Sequence, residues 1–144
     1  IQHLWAMREA LDMIFEEGLE NVWRRHRILA DAVRAAVDAW HAPDGVSFNI
    51  AHPQSRSHSV TTVLTGDINA VELRRIAESD AGVTLGVGLD EFADRAIRIG
   101  HMGHLNPPMI LGSLGTIEAA LIKMGAPMGS SGAAAAAAVI GAAL

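Results

Sequence analysis

The spacing of apolar residues first changes period at Ala42-Pro43-Asp44-Gly45, and that change from helix to strand constrains what the chain folds into. Upstream, Leu4, Met7, Leu11 and Ile14 recur at steps of three and four, which places them on one face of a helix. Glu16-Glu17-Gly18-Leu19 reads as its stop, because glycine takes the left-handed conformation that closes a last turn. Leu19, Val22, Leu29, Val33, Val37 and Trp40 resume the pattern as a second helix. Pro43 then fixes one backbone angle and Gly45 accepts a positive one, so the chain turns. Beyond the turn the period is two. Val46, Phe48 and Ile50 alternate with Ser47 and Asn49, and Val60-Thr61-Thr62-Val63-Leu64 is β-branched and strand-like.

Between those strands, His52 to His58 is a polar connection. Asp67 or Asn69 caps a helix running to about Glu78, with Val71, Leu73, Ile76 and Ala77 as its apolar side. Two more strands are expected, near Val83 to Leu85 and over Ala96 to Gly100. After Pro107-Pro108 a helix runs from about Met109 to Lys123 and stops at Gly125, with Pro127 just beyond. This order predicts an α+β fold, a small antiparallel sheet with helices packed on one face. Residues 1–123 form that domain, and residues 124–144 form a compositionally separate tail. The tail carries no charge and includes an unbroken alanine run from Ala133 to Ala138. Alanine favours helix but buries little surface, so this helix is expected to fray. Its apolar stretch of about twelve residues is short of the ~20 that span a bilayer, which argues against a membrane anchor.

Composition removes other function classes. A net charge of −5 with no basic run gives no electrostatic footprint for nucleic acid. The absence of cysteine excludes disulfides and thiolate metal sites and fits a reducing, cytoplasmic setting. No Gly-rich phosphate loop precedes a helix, and no Ser–His–Asp set is singled out by spacing.

Arg98 is the residue whose placement suggests chemistry. On a strand from Ala96 to Gly100, Ile97 and Ile99 point to one face and Arg98 to the other. A guanidinium held by a sheet offers a planar fork to a carboxylate. Spacing alone leaves open an ion pair with Asp90, Glu91 or Asp94 instead. His101 and His104 form a His-x-x-His pair, a spacing that could serve a metal, but the segment is glycine-broken and lacks an obvious third ligand. No metal site is therefore assigned, and the pair is expected to line the cleft or bond to backbone. His26 falls on the apolar stripe of the second helix, as a partly buried, hydrogen-bonded histidine. Arg24, Arg25, Arg27 and Arg34 are expected on a solvated face, paired with Glu20, Asp31 and Asp38. Lys123 is the sole lysine, placed where a cation complements a helix C-terminus.

The segment Arg98-Ile99-Gly100-His101-Met102-Gly103 resembles the late signature of class V pyridoxal-phosphate aminotransferases of the alanine–glyoxylate and serine–glyoxylate type. Three further pieces agree in order: Glu17-Gly18-Leu19-Glu20-Asn21-Val22-Trp23-Arg24-Arg25-His26, the strand Val60 to Val63, and the loop Val83 to Gly88. The resemblance implies the small C-terminal domain of a fold-type I enzyme, with Arg98 binding the α-carboxylate of a small amino or oxo acid. It further implies pyridoxal 5'-phosphate as cofactor, a large N-terminal domain as partner, and a homodimer. Such enzymes hold the cofactor covalently through a lysine of the large domain. Lys123 does not match that position, so no catalytic or cofactor-binding residue is assigned within this chain and the chain alone is expected to be inert. Gly88-Leu89-Asp90-Glu91-Phe92 is more acidic than the family's glycine- and lysine-rich loop. That departure leaves the substrate side chain undecided. A related class V enzyme, such as a pyridoxamine–pyruvate transaminase or a lyase, is the alternative, as is a non-catalytic acid-binding or dimerisation module.

Overall fold

The computed structural model describes residues 1–144. Helix α1 (Gln2–Glu17) ends at Gly18, whose φ of 85° sets the break and whose N–H closes the last turn on the Ile14 carbonyl at 2.9 Å. Helix α2 (Leu19–Trp40) follows at once and buries Val22, Leu29, Val33, Ala36, Val37 and Trp40. Both helices and the stop between them lie where the apolar period puts them. Strands β1 (Ser47–Phe48), β2 (Val60–Leu64), β3 (Gly86–Val87) and β4 (Ala96–Gly100) form one antiparallel sheet in the order β1-β2-β4-β3. Alternation along β2 and β4 sends Thr61, Val63, Ile97 and Ile99 to the helices, and Thr62 and Arg98 to the open face. A cluster of 23 buried residues, including Leu29, Val37, Trp40, Val63, Leu73, Ile97, Leu114 and Leu121, joins the sheet to its helical layer. The expected α+β fold is observed.

Helix α3 (Ala70–Arg75) starts at Asn69, whose Oδ1 accepts the Glu72 N–H at 3.0 Å. Its continuation from Ile76 to Asp80 widens to π-type turns. Helix α4 (Pro107–Lys123) begins two residues before the expected start. Asn106 caps it, and both prolines sit in the first turn, where their missing N–H groups leave no bond unmade.

Two strands are displaced from the expected positions. β1 stops at Phe48 because the chain turns into Pro53–Ser55, with Arg56 stacked 3.5 Å over the Phe48 ring and donating to the Ile50 and Ala51 carbonyls. β3 begins at Gly86 rather than Val83, because the Val83 N–H is committed to the Ala77 carbonyl at 2.8 Å.

The tail departs most from expectation. Helix α5 (Gly132–Ala143) does not stand off as a frayed alanine helix; it lies against α2 and α4 with Ala136 and Ile140 buried in the common core. Its N-terminus is held by Glu118, whose carboxylate accepts from the Trp40 indole N–H at 2.8 Å, the Ser131 hydroxyl at 2.8 Å and the Ala133 N–H at 2.9 Å. A Cβ on Gly132 would overlap the Trp40 indole and come within 2.8 Å of the Ala36 carbonyl, so only glycine lets the helix dock this closely. Burial acts to raise the Glu118 pKa, but the bonds from Trp40, Ala133 and Ser131 outweigh it and hold the carboxyl below its usual range. The break in composition at residue 124 is therefore no break in packing.

Candidate functional site

Arg98 stands at the centre of the open sheet face, with Thr62 opposite it on β2 and Gly86 opposite it on β3. Its Nε donates to the Val87 carbonyl at 2.7 Å. None of Asp90, Glu91 and Asp94 pairs with it, so the ion-pair alternative left by spacing is not formed. The Nη1 and Nη2 edge has no partner within the chain. A half-exposed, strand-held guanidinium with its terminal edge free has two parallel N–H donors to offer to an anion such as a carboxylate.

Beyond β4 the chain passes through His101 into the loop Met102 to Asn106, and α2 clamps that loop. Arg25 grips the Glu17 carboxylate through Nε at 2.7 Å and Nη2 at 2.6 Å. Its Nη1 donates to the Gly103 and Leu105 carbonyls at 2.7 and 2.9 Å. Hydrogen bonding to Arg25 lowers the Glu17 pKa, against a smaller effect of burial. Arg25 is thus no member of a solvated face, and the expectation for it is corrected. A partner eight residues away across a helix break shows no helical spacing, which is why the sequence did not signal it. Arg34 does pair with Asp31 at 2.9 Å, and it also donates to the Ser57 carbonyl. His26 is half-buried, as expected, and accepts the Gly103 N–H at Nε2, 3.0 Å away.

His101 is fully buried. Nδ1 donates to the His58 carbonyl at 3.2 Å, and Nε2 accepts from the Thr61 hydroxyl at 2.9 Å. Burial pushes its pKa down to about 4, leaving a neutral ring with both nitrogens engaged. His104 is exposed, and no group of three potential ligands converges on the pair. His101 therefore bonds to its surroundings as a structural group.

No family model matches the chain. Over 138 residues it is 41% identical to the serine–glyoxylate aminotransferase of Arabidopsis thaliana, covering 94% of this chain and 33% of that protein. Over 123 residues it is 39% identical to the serine–glyoxylate aminotransferase of Methylorubrum extorquens, covering 85% of this chain and 30% of that one. The fold superposes on the crystal structure of pyridoxamine–pyruvate aminotransferase from Mesorhizobium loti with a TM-score of 0.83 at 34% identity, over 93% of this chain and 34% of that one. By sequence and by fold, the chain is similar to a part of these aminotransferases.

The chain spans about a third of the length of these aminotransferase relatives. Its own residues do not fit the anchoring of a pyridoxal phosphate. Lys123, the sole lysine, lies at the end of α4 and donates to Asp80 at 2.6 Å, and that pairing holds the Asp80 carboxyl below its usual range. Arg98, by contrast, keeps its Nη1 and Nη2 groups free on the open sheet face.

Proposed function

We propose that the chain is the C-terminal, small-domain part of a pyridoxal-phosphate transaminase that moves an amino group between a small amino acid and glyoxylate or pyruvate. Arg98 holds the substrate α-carboxylate. The observation that carries this reading is the free Nη1 and Nη2 edge of Arg98 on an otherwise uncommitted sheet face. Bidentate pairing fixes both the position and the plane of the acid, and that orientation sets which bond at the substrate Cα stands ready to break. The cofactor, held by the remainder of the protein, supplies the electron sink for that bond. The names of the relatives support the amino-transfer class and glyoxylate or pyruvate as acceptors.

The same reading assigns a docking role to α1, which has no buried residue and leaves Leu4, Trp5, Met7 and Leu11 exposed. Its apolar stripe would pack on the remainder of the enzyme or across a homodimer. A cytoplasmic location completes the proposal, consistent with the absence of cysteine and of any helix long and apolar enough to cross a membrane.

Amino transfer by the full-length protein tests the reading. Serine, alanine, aspartate and pyridoxamine are to be offered as donors, each with glyoxylate or pyruvate. Cofactor-dependent transfer from at least one donor is expected, and none from any would contradict the proposal. The 144-residue chain alone, mixed with pyridoxal phosphate and borohydride, should show no stoichiometric labelling at Lys123.

A further inference from the structure

We infer that β3 is the positioning element for Arg98: Gly86 and the Val87 carbonyl lock the guanidinium so that a carboxylate meets it only end-on, through Nη1 and Nη2. This rests on the reading of Arg98 as the carboxylate site. A guanidinium has two edges that accept a carboxylate bidentately, one formed by Nε with an Nη and one by the two Nη groups. Val87 O takes the Nε–H at 2.7 Å and closes the first edge. An acid therefore approaches along the axis of the side chain.

Gly86 makes that lock geometrically possible. It is the direct cross-strand partner of Arg98, and such partners project from the same face of a sheet. A Cβ on Gly86 would stand 2.9 Å from the Arg98 Cβ and 3.0 Å from the Arg98 carbonyl oxygen. Neither is the far end of a flexible side chain, so the strands would have to separate and carry Val87 O away from Nε. The rest of the hairpin resists that movement. Gly88 lies against the Phe92 backbone with no room for a side chain, and Arg95 N–H donates to Phe92 O at 3.0 Å. Arg74 ties the hairpin to α3 through the Ala93 and Ala96 carbonyls at 3.0 and 3.2 Å. Arg98 thus loses its rotameric freedom during folding rather than on meeting a ligand. Gly86 and Val87 touch no substrate in this account and act only through Arg98.

Two experiments test the lock. In the 144-residue chain, which closes its own core, the Arg98 Nε–H should exchange with solvent at least tenfold more slowly than those of exposed Arg8 and Arg27. Equal rates would overturn the proposal, and this measurement decides alone if Gly86→Ala fails to fold. In the full-length enzyme, Gly86→Ala should lower kcat/KM about tenfold, and Gly86→Ala/Arg98→Ala should be no worse than Arg98→Ala alone, because the glycine acts through the arginine. Multiplying losses, with Arg98→Ala itself impaired, would overturn the lock and leave the carboxylate reading intact. An Arg98→Ala enzyme with unchanged kcat/KM would instead sink the carboxylate reading and with it the purpose of the lock.

Discussion

The two terminal helices invert what their sequences lead one to expect. α1 carries a regular stripe of large apolar residues and buries none of its residues. α5 offers mostly alanines, yet it docks on α2 and α4 and contributes Ala136 and Ile140 to the core. The difference lies in fit rather than hydrophobicity. Small side chains and Gly132 let α5 approach Trp40 and Ala36 closely, and a ready carboxylate, Glu118, satisfies its first N–H groups. α1 meets no complementary surface within these residues; only its last turn is fastened, by Glu17 to Arg25. The contrast teaches that an amphipathic stripe indicates the need for a partner without locating it, whereas a small-residue helix with a capping acid already has one.

Deleting either terminal helix should have very different consequences. Removing residues 132–144 strips the cover from Trp40 and should cost more than ~4 kcal/mol in urea unfolding followed by circular dichroism, as large core losses do. Removing residues 1–16 should cost under ~1 kcal/mol, since that segment buries no side chain. Equal costs would erase the distinction.

Three sets of substitutions should have smaller effects. Buried His101 has an ordinary pKa of 6.5 lowered to about 4 in the fold, so the unfolded chain binds more protons between those values. Its contribution, on the order of 3 kcal/mol, is complete above pH 6.5 and is lost as pH falls towards 4. His101→Gln should flatten that slope in unfolding measured across the range. Glu118→Ala leaves the Trp40 indole N–H buried without an acceptor and should cost about 2 kcal/mol, with Glu118→Gln recovering part of it. A cost near zero would remove Glu118 from the account of why α5 docks. Replacing Leu4 and Leu11 with glutamate should leave unfolding within about 0.5 kcal/mol while lowering the self-association expected of the exposed stripe, as read by light scattering. A stability loss like that of the α5 deletion would show α1 to be part of the core.

Much of this fold is readable where a local rule is also the deciding one. Gly18 ends a helix, Asn69 and Asn106 cap two others, and alternation along Ala96 to Gly100 puts Arg98 on the face opposite Ile97 and Ile99. What was not legible depends on distant contacts. The Val83 N–H is taken by Ala77, and β3 therefore starts late. Glu118 finds Trp40 across 78 positions, and no composition of the tail reports that. At the site, the residue was visible in its motif, but its surroundings were not. The acids nearby in sequence leave Arg98 alone, and a backbone carbonyl of β3 holds its Nε instead.

Steady-state kinetics of Arg98→Ala and Arg98→Lys in the full-length enzyme decide whether Arg98 receives the substrate carboxylate. Arg98→Ala should raise the amino-donor KM and lower kcat/KM by roughly 2–4 kcal/mol, the cost of losing a charged bidentate contact. Arg98→Lys should recover little, because a point charge does not reproduce a planar fork. Kinetics in both variants indistinguishable from those of the unmodified enzyme would contradict the account.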